Sequence, residues 1–333
     1  MSKSIHNRRS FLTLTGLALG AVAIAGCEAP AGSATASGAA ADGAKPYIAV
    51  VSKGFQHQFW QAVKQGADKA AKEFNVEISF EGPNTEKDVD QQIQMLTTAL
   101  GKSPAAIGFA ALDSQAATPL LEQAKSKNIP VIAFDSGVDS TIPATTASTD
   151  NKAAAAEAAK HLAELIGGSG EIAIIGHDQT SKSGTDRRDG FKEYIEKNHP
   201  GVKIVAIQYA GGDQLLSADA AKAIITANPN LKGMYGTNEG SAIGVVKAVE
   251  ELGLKGKLTI VGFDSGKAQI DAIKSGLMAG AVTQNPVGIG YETIKAAVAA
   301  IKGEKLPGKI DTGFYWYDAK NIDSETIKPN LYQ

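Results

Sequence analysis

Short apolar runs alternate with longer amphipathic stretches from residue 47 onward. The apolar runs span five to eight residues and are rich in β-branched side chains, and strands that alternate with helices of about 10–15 residues indicate βαβ units and parallel sheets. Their continuous apolar character is typical of strands covered by helices on both faces. The predicted strands are YIAVVS (47–52), VEISF (76–80), AAIGFA (105–110), PVIAFD (130–135), EIAIIG (171–176), VKIVAIQY (202–209), LKGMYG (231–236) and LTIVGFD (258–264).

The fourth and eighth of these runs end in the same phrase, Phe-Asp-Ser-Gly, at 134–137 and 263–266. The two halves share the same alternation of strands and helices and the same final motif. This predicts two similar doubly wound α/β lobes in tandem, with Asp135 and Asp264 in comparable places. A further strand, helix and strand are predicted within 279–318. We therefore expect the chain to cross between the lobes more than once.

The N-terminus has the pattern of an export signal. Three basic residues precede an apolar run, FLTLTGLALGAVAIAGC, that ends at Cys27 and is too short and wrongly flanked for a membrane-spanning helix. The tetrapeptide IAGC resembles the lipobox of bacterial lipoproteins, and Cys27 is the one cysteine of the chain. That resemblance implies a signal peptide over 1–26 and a lipid on the thiol of Cys27. The motif NRRSFL (7–12) leaves Sec and twin-arginine export both open.

Residues 27–45 are rich in Ala, Gly and Ser and predict a flexible tether to the outer face of the cytoplasmic membrane. The net charge is −2, and loss of 1–26 removes three basic and no acidic residues, which leaves −5. A mildly acidic exported protein without a basic cluster is not expected to bind nucleic acid, or to contact the membrane except through its lipid. A single cysteine excludes a disulfide framework.

Polar and aromatic side chains follow the predicted strands, where open parallel sheets bind their ligands. Carboxylates and carboxamides form paired hydrogen bonds with neighbouring hydroxyls, and aromatic faces pack on the C–H side of a sugar ring. These positions therefore predict a cleft for a neutral polyhydroxylated ligand. The side chains are Lys53, Phe55, His57, Phe59, Trp60, Asp113, Asp135, Ser136, His177, Asp178, Asn238, Glu239, Asp264, Ser265 and Gln284.

Structural roles remain open for the same residues. An aspartate between a strand and a helix is often a helix cap or an Asx turn, and Phe59 or Trp60 could belong to the core. Catalytic motifs do not assemble: the five histidines lack metal-binding spacing, and neither a G-x-S-x-G elbow nor a Walker loop is present. We therefore expect a binding protein without a metal, a cofactor or an enzymatic activity.

Taken together and in order, several motifs make the chain resemble the ribose/galactose-type periplasmic sugar-binding proteins of ABC importers. The resemblance covers about 46–318 and implies two Rossmann-like lobes joined by a three-strand hinge that closes on the ligand. It places the N-terminal lobe at 46–150 plus 285–312 and the C-terminal lobe at 151–284 plus 313–333. The motifs are FQHQFWQAVKQGA, PVIAFD, ASTDN, RRDGF, TNEGSAIG, IVGFD and VTQNP.

Carried over position by position, the resemblance implies a set of ligand-binding residues. Two departures separate this chain from ribose binders: Ala110 replaces an asparagine, and Thr185 stands where an arginine is expected, with Arg187 and Arg188 close by. A sugar-like ligand bound in another manner than ribose is therefore expected. The predicted ligand residues are Lys53, His57, Phe59, Trp60, Asp135, Arg188, Asn238, Asp264 and Gln284.

The resemblance implies a monomeric, lipid-anchored solute-binding protein that delivers a monosaccharide or sugar-like polyol to an ABC permease. The alternative is a sugar sensor that docks on a chemoreceptor or a sensor kinase. A LacI-type repressor shares the architecture but should carry a helix-turn-helix where the export signal stands. A periplasmic hydrolase or aldolase is the enzymatic alternative, and it lacks a nucleophile–base pair.

Overall fold

Twelve strands, nine α-helices and one short 3₁₀ helix (Lys328–Asn330) lie in the part of the chain that the computed structural model describes, residues 45–332. The signal peptide, Cys27 and nearly all of the tether lie outside the described residues. The strands are β1 (Tyr47–Val51), β2 (Glu77–Glu81), β3 (Ala106–Phe109), β4 (Val131–Phe134), β5 (Thr145–Ser148), β6 (Gly170–Gly176), β7 (Val202–Tyr209), β8 (Leu231–Gly236), β9 (Thr259–Phe263), β10 (Gly280–Gln284), β11 (Lys309–Asp311) and β12 (Phe314–Asp318). The helices are α1 (Gln58–Glu73), α2 (Val89–Gly101), α3 (Thr118–Ser126), α4 (Asn151–Leu165), α5 (Lys182–Asn198), α6 (Gln214–Ala227), α7 (Glu239–Glu251), α8 (Lys267–Lys274) and α9 (Pro286–Ile301).

The strands form two six-stranded sheets with matching order. The first runs β2-β1-β3-β4-β5-β11 and the second β7-β6-β8-β9-β10-β12. All neighbours are parallel except β12, which is antiparallel to β10. We call the first sheet with α1, α2, α3 and α9 the first lobe, and the second sheet with α4 to α8 the second lobe. The predicted α/β class with two doubly wound parallel sheets is confirmed.

Each central strand supplies two apolar cores because successive side chains point to opposite faces of a sheet. In β1, Ile48 and Val50 enter one cluster of the first lobe, while Ala49 and Val51 enter the other. In β6, Ala173 and Ile175 pack on one face and Ile174 on the opposite one. Helices cover both faces, which explains why these strands are continuously apolar in sequence.

The chain passes between the sheets after β5, after β10 and between β11 and β12. The apolar pattern does not predict β5, because its TTAS segment is short and mostly polar, yet β5 pairs with both neighbours. The pattern predicts one strand at 310–318, within which the resemblance implies a change of lobe after residue 312. In the structure, Gly313, at a φ of 80°, separates β11 in one sheet from β12 in the other. The lobe boundaries given above stay a prediction.

Among residues 45–332, no helix is both long and apolar enough to span a bilayer.

Helices α1 and α9 pack against each other through two glycines. A Cβ built on Gly66 would lie 1.9 Å from the carbonyl oxygen of Val287, and one on Gly290 would lie 1.9 Å from that of Val63. The backbones therefore approach too closely for any side chain.

Alanine at Gly290 is expected to lower the free energy of unfolding by roughly 1–3 kcal/mol, because the helices must separate to admit the methyl group. The control is Gly101→Ala, at the last residue of α2, where a Cβ meets nothing within 4 Å. Denaturant unfolding of both variants makes the comparison. Equal midpoints would contradict the proposed close packing.

Candidate functional site

The repeated Phe-Asp-Ser-Gly phrase adopts one backbone geometry in both lobes. Asp135 follows β4 and Asp264 follows β9, and both have positive φ angles, 53° and 81°. Their amides donate to the next strand of the sheet, to Ala147 O on β5 at 2.9 Å and to Val282 O on β10 at 2.7 Å. This left-handed turn, which aspartate tolerates better than most residues, places a carboxylate at the same point of each lobe.

Both carboxylates line one small cavity between the lobes. Its volume is about 10 Å³, room for about one water molecule, so a sugar can enter only after the lobes move apart or the lining side chains rearrange. Eight of the nine residues predicted to bind ligand line it, and Arg188 does not. The complete lining is Lys53, His57, Phe59, Trp60, Glu86, Asp135, His177, Ser183, Arg187, Asn238, Asp264 and Gln284.

Asp135 presents an unused acceptor to the cavity. The residue is 4% exposed, and its Oδ1 has no hydrogen-bond partner within the described range 45–332. The nearest cationic atom is Nη2 of Arg187, 4.0 Å away. Burial raises the pKa of Asp135 to about 6, against the opposing effect of Lys53 and Arg187. A ligand hydroxyl that donates to Oδ1 would therefore relieve an unfavourable charge.

Asp264, in contrast, is held by donors from the protein. Its Oδ1 accepts from Gln284 Nε2 at 2.8 Å and its Oδ2 from the amide of Glu239 at 2.9 Å. The backbone carbonyl of Asp264 accepts from the hydroxyl of Tyr317 at 2.7 Å. These bonds fix the carboxylate and leave Gln284 Oε1 without a partner among the described residues. The second lobe thus presents a rigid pair of acceptors.

Lys53 closes one wall of the cavity from the first lobe. Its Nζ lies 3.1 Å from Ser181 Oγ, 3.3 Å from Ser183 Oγ and 3.5 Å from Asp178 Oδ2, all in the second lobe. Burial lowers the pKa of Lys53, but the carboxylates of Asp178, Glu86 and Asp135 outweigh that effect and raise it. The ammonium group is therefore charged and already balanced.

The aromatic wall serves both as core and as cavity surface. Phe59 and Trp60 are 4% and 1% exposed and belong to a core cluster of the first lobe, yet both line the cavity. Trp60 Nε1 donates to Glu86 Oε1 at 2.7 Å, which fixes the indole ring. The two interpretations left open by the sequence are thus not exclusive.

Glu86 and His177 line the cavity but are not among the nine predicted ligand residues, although His177 is among the strand-end candidates. Glu86 lies in the loop between β2 and α2, where no motif distinguishes it from neighbouring polar residues. Burial raises the pKa of Glu86. The opposing effect of His57, Lys53, His177 and the hydrogen bond from Trp60 is larger, so the pKa of Glu86 lies below its usual value. His177 follows β6, so its strand-end position was a usable signal. Burial lowers its pKa to about 3, and the imidazole is neutral at neutral pH.

Arg188, predicted to contact the ligand, does not line the cavity, whereas its neighbour Arg187 does. Arg188 is partly exposed and pairs with Asp189 at 2.6 and 2.9 Å and with the hydroxyl of Tyr209 at 3.1 Å. The helical phase of α5 was the missed signal. Ser183, Arg187 and Phe191 recur every four residues on the buried face of α5.

Arg187 is held by the second lobe and reaches toward the first. Its Nε donates to Asn151 Oδ1 at 2.7 Å and its Nη1 to the carbonyl of Thr237 at 3.1 Å. The guanidinium lies 3.8 Å from the ring centroid of Phe263, a cation–π geometry. This anchoring aims the remaining donors at Asp135.

Direct hydrogen bonds between the lobes surround the cavity. Ser183 N donates to Ser136 Oγ at 3.2 Å, and Asn238 Nδ2 donates to Glu86 Oε2 at 3.3 Å. On a third side, Thr180 Oγ1 donates to the carbonyl of Leu112 at 3.1 Å. The lobes are therefore in a closed arrangement. Within residues 45–332, no group of three or more His, Cys, Asp or Glu side chains is placed to hold a metal ion.

Comparison with known proteins gives a consistent result. The D-allose-binding periplasmic protein of Escherichia coli K12 is 32% identical over 267 residues, which cover 78% of this chain and 85% of that protein. An Agrobacterium radiobacter carbohydrate transporter solute-binding protein in complex with D-arabinose superposes with a TM-score of 0.84 at 33% identity, covering 86% of this chain and 99% of that one. A solute-binding protein from Actinobacillus succinogenes with bound D-allose gives a TM-score of 0.77 at 28% identity, covering 83% and 98%.

The profile of the periplasmic binding protein domain matches residues 48–305, which contain both sheets' central strands and every residue that lines the cavity. The resemblance inferred from the sequence motifs is confirmed. The chain belongs to the periplasmic binding protein family.

Proposed function

We propose that this protein is the solute-binding component of an ABC importer, which captures a neutral monosaccharide or sugar-like polyol between its lobes and delivers it to the permease. The observation that carries the proposal is the pair of carboxylates, Asp135 and Asp264, that face one small closed cavity from matching turns. Relatives described as binding D-allose and D-arabinose support the sugar class. The sensing alternative has no observation in its favour.

The charge balance of the cavity favours a neutral ligand. Lys53 faces Asp178 and Arg187 faces Asp135, so both cations have carboxylate neighbours. A sugar acid or sugar phosphate would bring negative charge next to these carboxylates without a free cation to receive it. Among the described residues that line the cavity, the unpartnered atoms Asp135 Oδ1 and Gln284 Oε1 are acceptors that match hydroxyl donors, and unpartnered His57 Nδ1 accepts or donates according to its tautomer.

Export to the outer face of the cytoplasmic membrane and a lipid on Cys27 complete the proposal. They rest on the basic N-terminus and the IAGC motif, and membership of the periplasmic binding protein family supports export. Transport rather than chemistry is the role that the relatives support.

A thermal-shift screen of the purified protein, followed by calorimetry, tests the ligand class. We expect at least one of D-allose, D-arabinose, D-ribose, D-tagatose or xylitol to raise the melting temperature, since a ligand that binds only the folded state stabilises it by mass action. D-gluconate and ribose 5-phosphate are the charged controls and should give no shift. A shift with the charged compounds alone would contradict the proposal.

A further inference from the structure

Three helices, α1, α7 and α8, begin at the edge of the cleft, and two of them, α1 and α8, receive a capping side chain from the opposite lobe. Helix α1 starts at Gln58 without a side-chain cap from His57 and without an acidic residue in its first turn. The missing acceptor comes from the other lobe. The carboxylate of Glu239, the first residue of α7, accepts from Gln58 N at 3.1 Å and from Phe59 N at 3.2 Å.

A side chain of the first lobe also caps a helix of the second lobe. The side-chain Oε1 of Gln58 accepts from the amide of Lys267, the first residue of α8, at 2.7 Å. A carboxylate at a helix N-terminus is stabilised both by the free amides and by the helix dipole. The first lobe therefore receives a cap from the second lobe and gives one back.

Gly266 lies beside the side chains of Glu239 and Gln58, and its lack of a Cβ leaves room for both. A Cβ built there would lie 2.9 Å from the carboxyl carbon of Glu239 and 3.1 Å from Gln58 Oε1. At Gly137, the same position in the first copy of Phe-Asp-Ser-Gly, a Cβ would meet only a methyl group of Thr146 at 3.9 Å. The two copies of the motif thus differ in what their glycines permit.

We propose that Glu239 and Gln58, packed against Gly266, form a latch that holds the closed form and sets ligand affinity without touching the ligand. Glu239 is buried but is not among the residues that line the cavity. It is connected to the site through its amide, which donates to Asp264 at 2.9 Å. The inference rests on the proposed function, because it requires that the ligand binds the closed form.

A latch of this kind has a distinctive signature. The apparent association constant is the intrinsic association constant of the closed form multiplied by the fraction of unliganded molecules that are closed. A contact made only between the lobes therefore changes the affinity for every ligand by one factor and leaves their ratio unchanged. A residue that touches the sugar changes the ratio, because different sugars use it differently.

The test measures dissociation constants and dissociation rates of Glu239→Ala and Gly266→Ala for two sugars that bind the wild type. Loss of hydrogen bonds to a carboxylate is expected to weaken both sugars by roughly ten- to a hundredfold, mainly through faster dissociation, with the ratio constant within about twofold. The controls are Glu250→Ala, at an exposed position of α7, and Gly137→Ala, both of which should match the wild type. A changed ratio or an unchanged affinity overturns the latch.

Small-angle scattering of the unliganded proteins separates this inference from the proposed function. We expect Glu239→Ala to be more open than the wild type and than Glu250→Ala. If none of the sugars binds the wild type, the proposed function fails, and the latch is judged by scattering alone. A Glu239→Ala protein as closed as the wild type overturns the latch in either case.

Discussion

Asp135→Asn is expected to weaken sugar binding by roughly ten- to a hundredfold while leaving the unliganded protein at least as stable as the wild type. Oδ1 of Asp135 has no hydrogen-bond partner among residues 45–332, so asparagine removes the charged acceptor for a ligand hydroxyl without breaking a hydrogen bond of that atom. Loss of a hydrogen bond to a charged group costs about 1.5–3 kcal/mol. Calorimetry measures the affinity, and denaturant unfolding measures the stability.

The stability part follows from the raised pKa of Asp135. The pKa of Asp135 is about 6 in the folded protein and 3.8 for the unperturbed group. The contribution of its protonated form to the free energy of unfolding is therefore fully present below pH 3.8 and is lost as the pH rises through 6. At pH 7 the ionised group costs the closed, unliganded state up to about 3 kcal/mol. Asparagine avoids this cost, so a large loss of unliganded stability in Asp135→Asn would contradict the assignment.

Asp264→Asn is the matched comparison from the second copy of the motif. Both oxygens of Asp264 already accept from the protein, one from Gln284 and one from the amide of Glu239. An asparagine must point its NH₂ group at one of these donors, which leaves a buried donor unpaired at a cost of about 1–3 kcal/mol. We therefore expect Asp264→Asn to lose both sugar binding and stability, whereas Asp135→Asn loses binding alone.

The same pKa predicts how binding depends on pH. A ligand hydroxyl that donates to Asp135 favours the carboxylate, so the complex holds fewer protons than the free protein near pH 6. Affinity should then fall as the pH drops from 7 to 5, by up to about tenfold per unit for one proton. The imidazole of His177, with a pKa of about 3, stays neutral in this range. The residual binding of Asp135→Asn, measured at high sugar concentration, should not vary with pH in that way.

Much of this site could be predicted because strand ends are visible in a sequence. The apolar runs fix where each strand stops, and the residues that follow meet at one edge of the sheet, which is how Asp135, Asn238, Asp264 and Gln284 come together. The repeated phrase Phe-Asp-Ser-Gly added the expectation that two of them occupy matching places. The turn that both aspartates adopt was not predictable from residue types that also form ordinary caps.

The failures have physical causes as well. Glu86 reaches the cavity from a long loop, whose path depends on packing against Trp60 rather than on a local pattern. The strand β5 was missed because its stability comes from pairing with two neighbours, while its Thr and Ser residues lack the apolar signal. Helix α5 was predicted, but its phase must be read to one residue, and the predicted Arg188 lies one residue from Arg187, which lines the cavity.

Replacement of Arg187 and of Arg188 tests which of the two arginines contacts the ligand. Arg187→Ala is expected to weaken sugar binding by at least a hundredfold, because it removes the only arginine that lines the cavity and the charge that faces Asp135. It should also lower the stability of the unliganded protein, since Asn151 Oδ1 and the carbonyl of Thr237 lose their donors and the contact with Phe263 is lost. Calorimetry and thermal unfolding measure the two effects.

Arg188→Ala is the matched control, with the same chemical change one residue along the same helix. Its partners, Asp189 and Tyr209, lie outside the cavity lining, and pairs at partly exposed positions contribute about 0–1 kcal/mol. Binding should therefore stay within about twofold of the wild type. Arg187→Lys adds a finer test: it keeps the charge but cannot donate to Asn151 and Thr237 while facing Asp135, so we expect it to recover stability better than affinity. A variant series in which Arg188→Ala loses as much affinity as Arg187→Ala would return the ligand contact to the neighbouring arginine and reverse the phase assigned to α5.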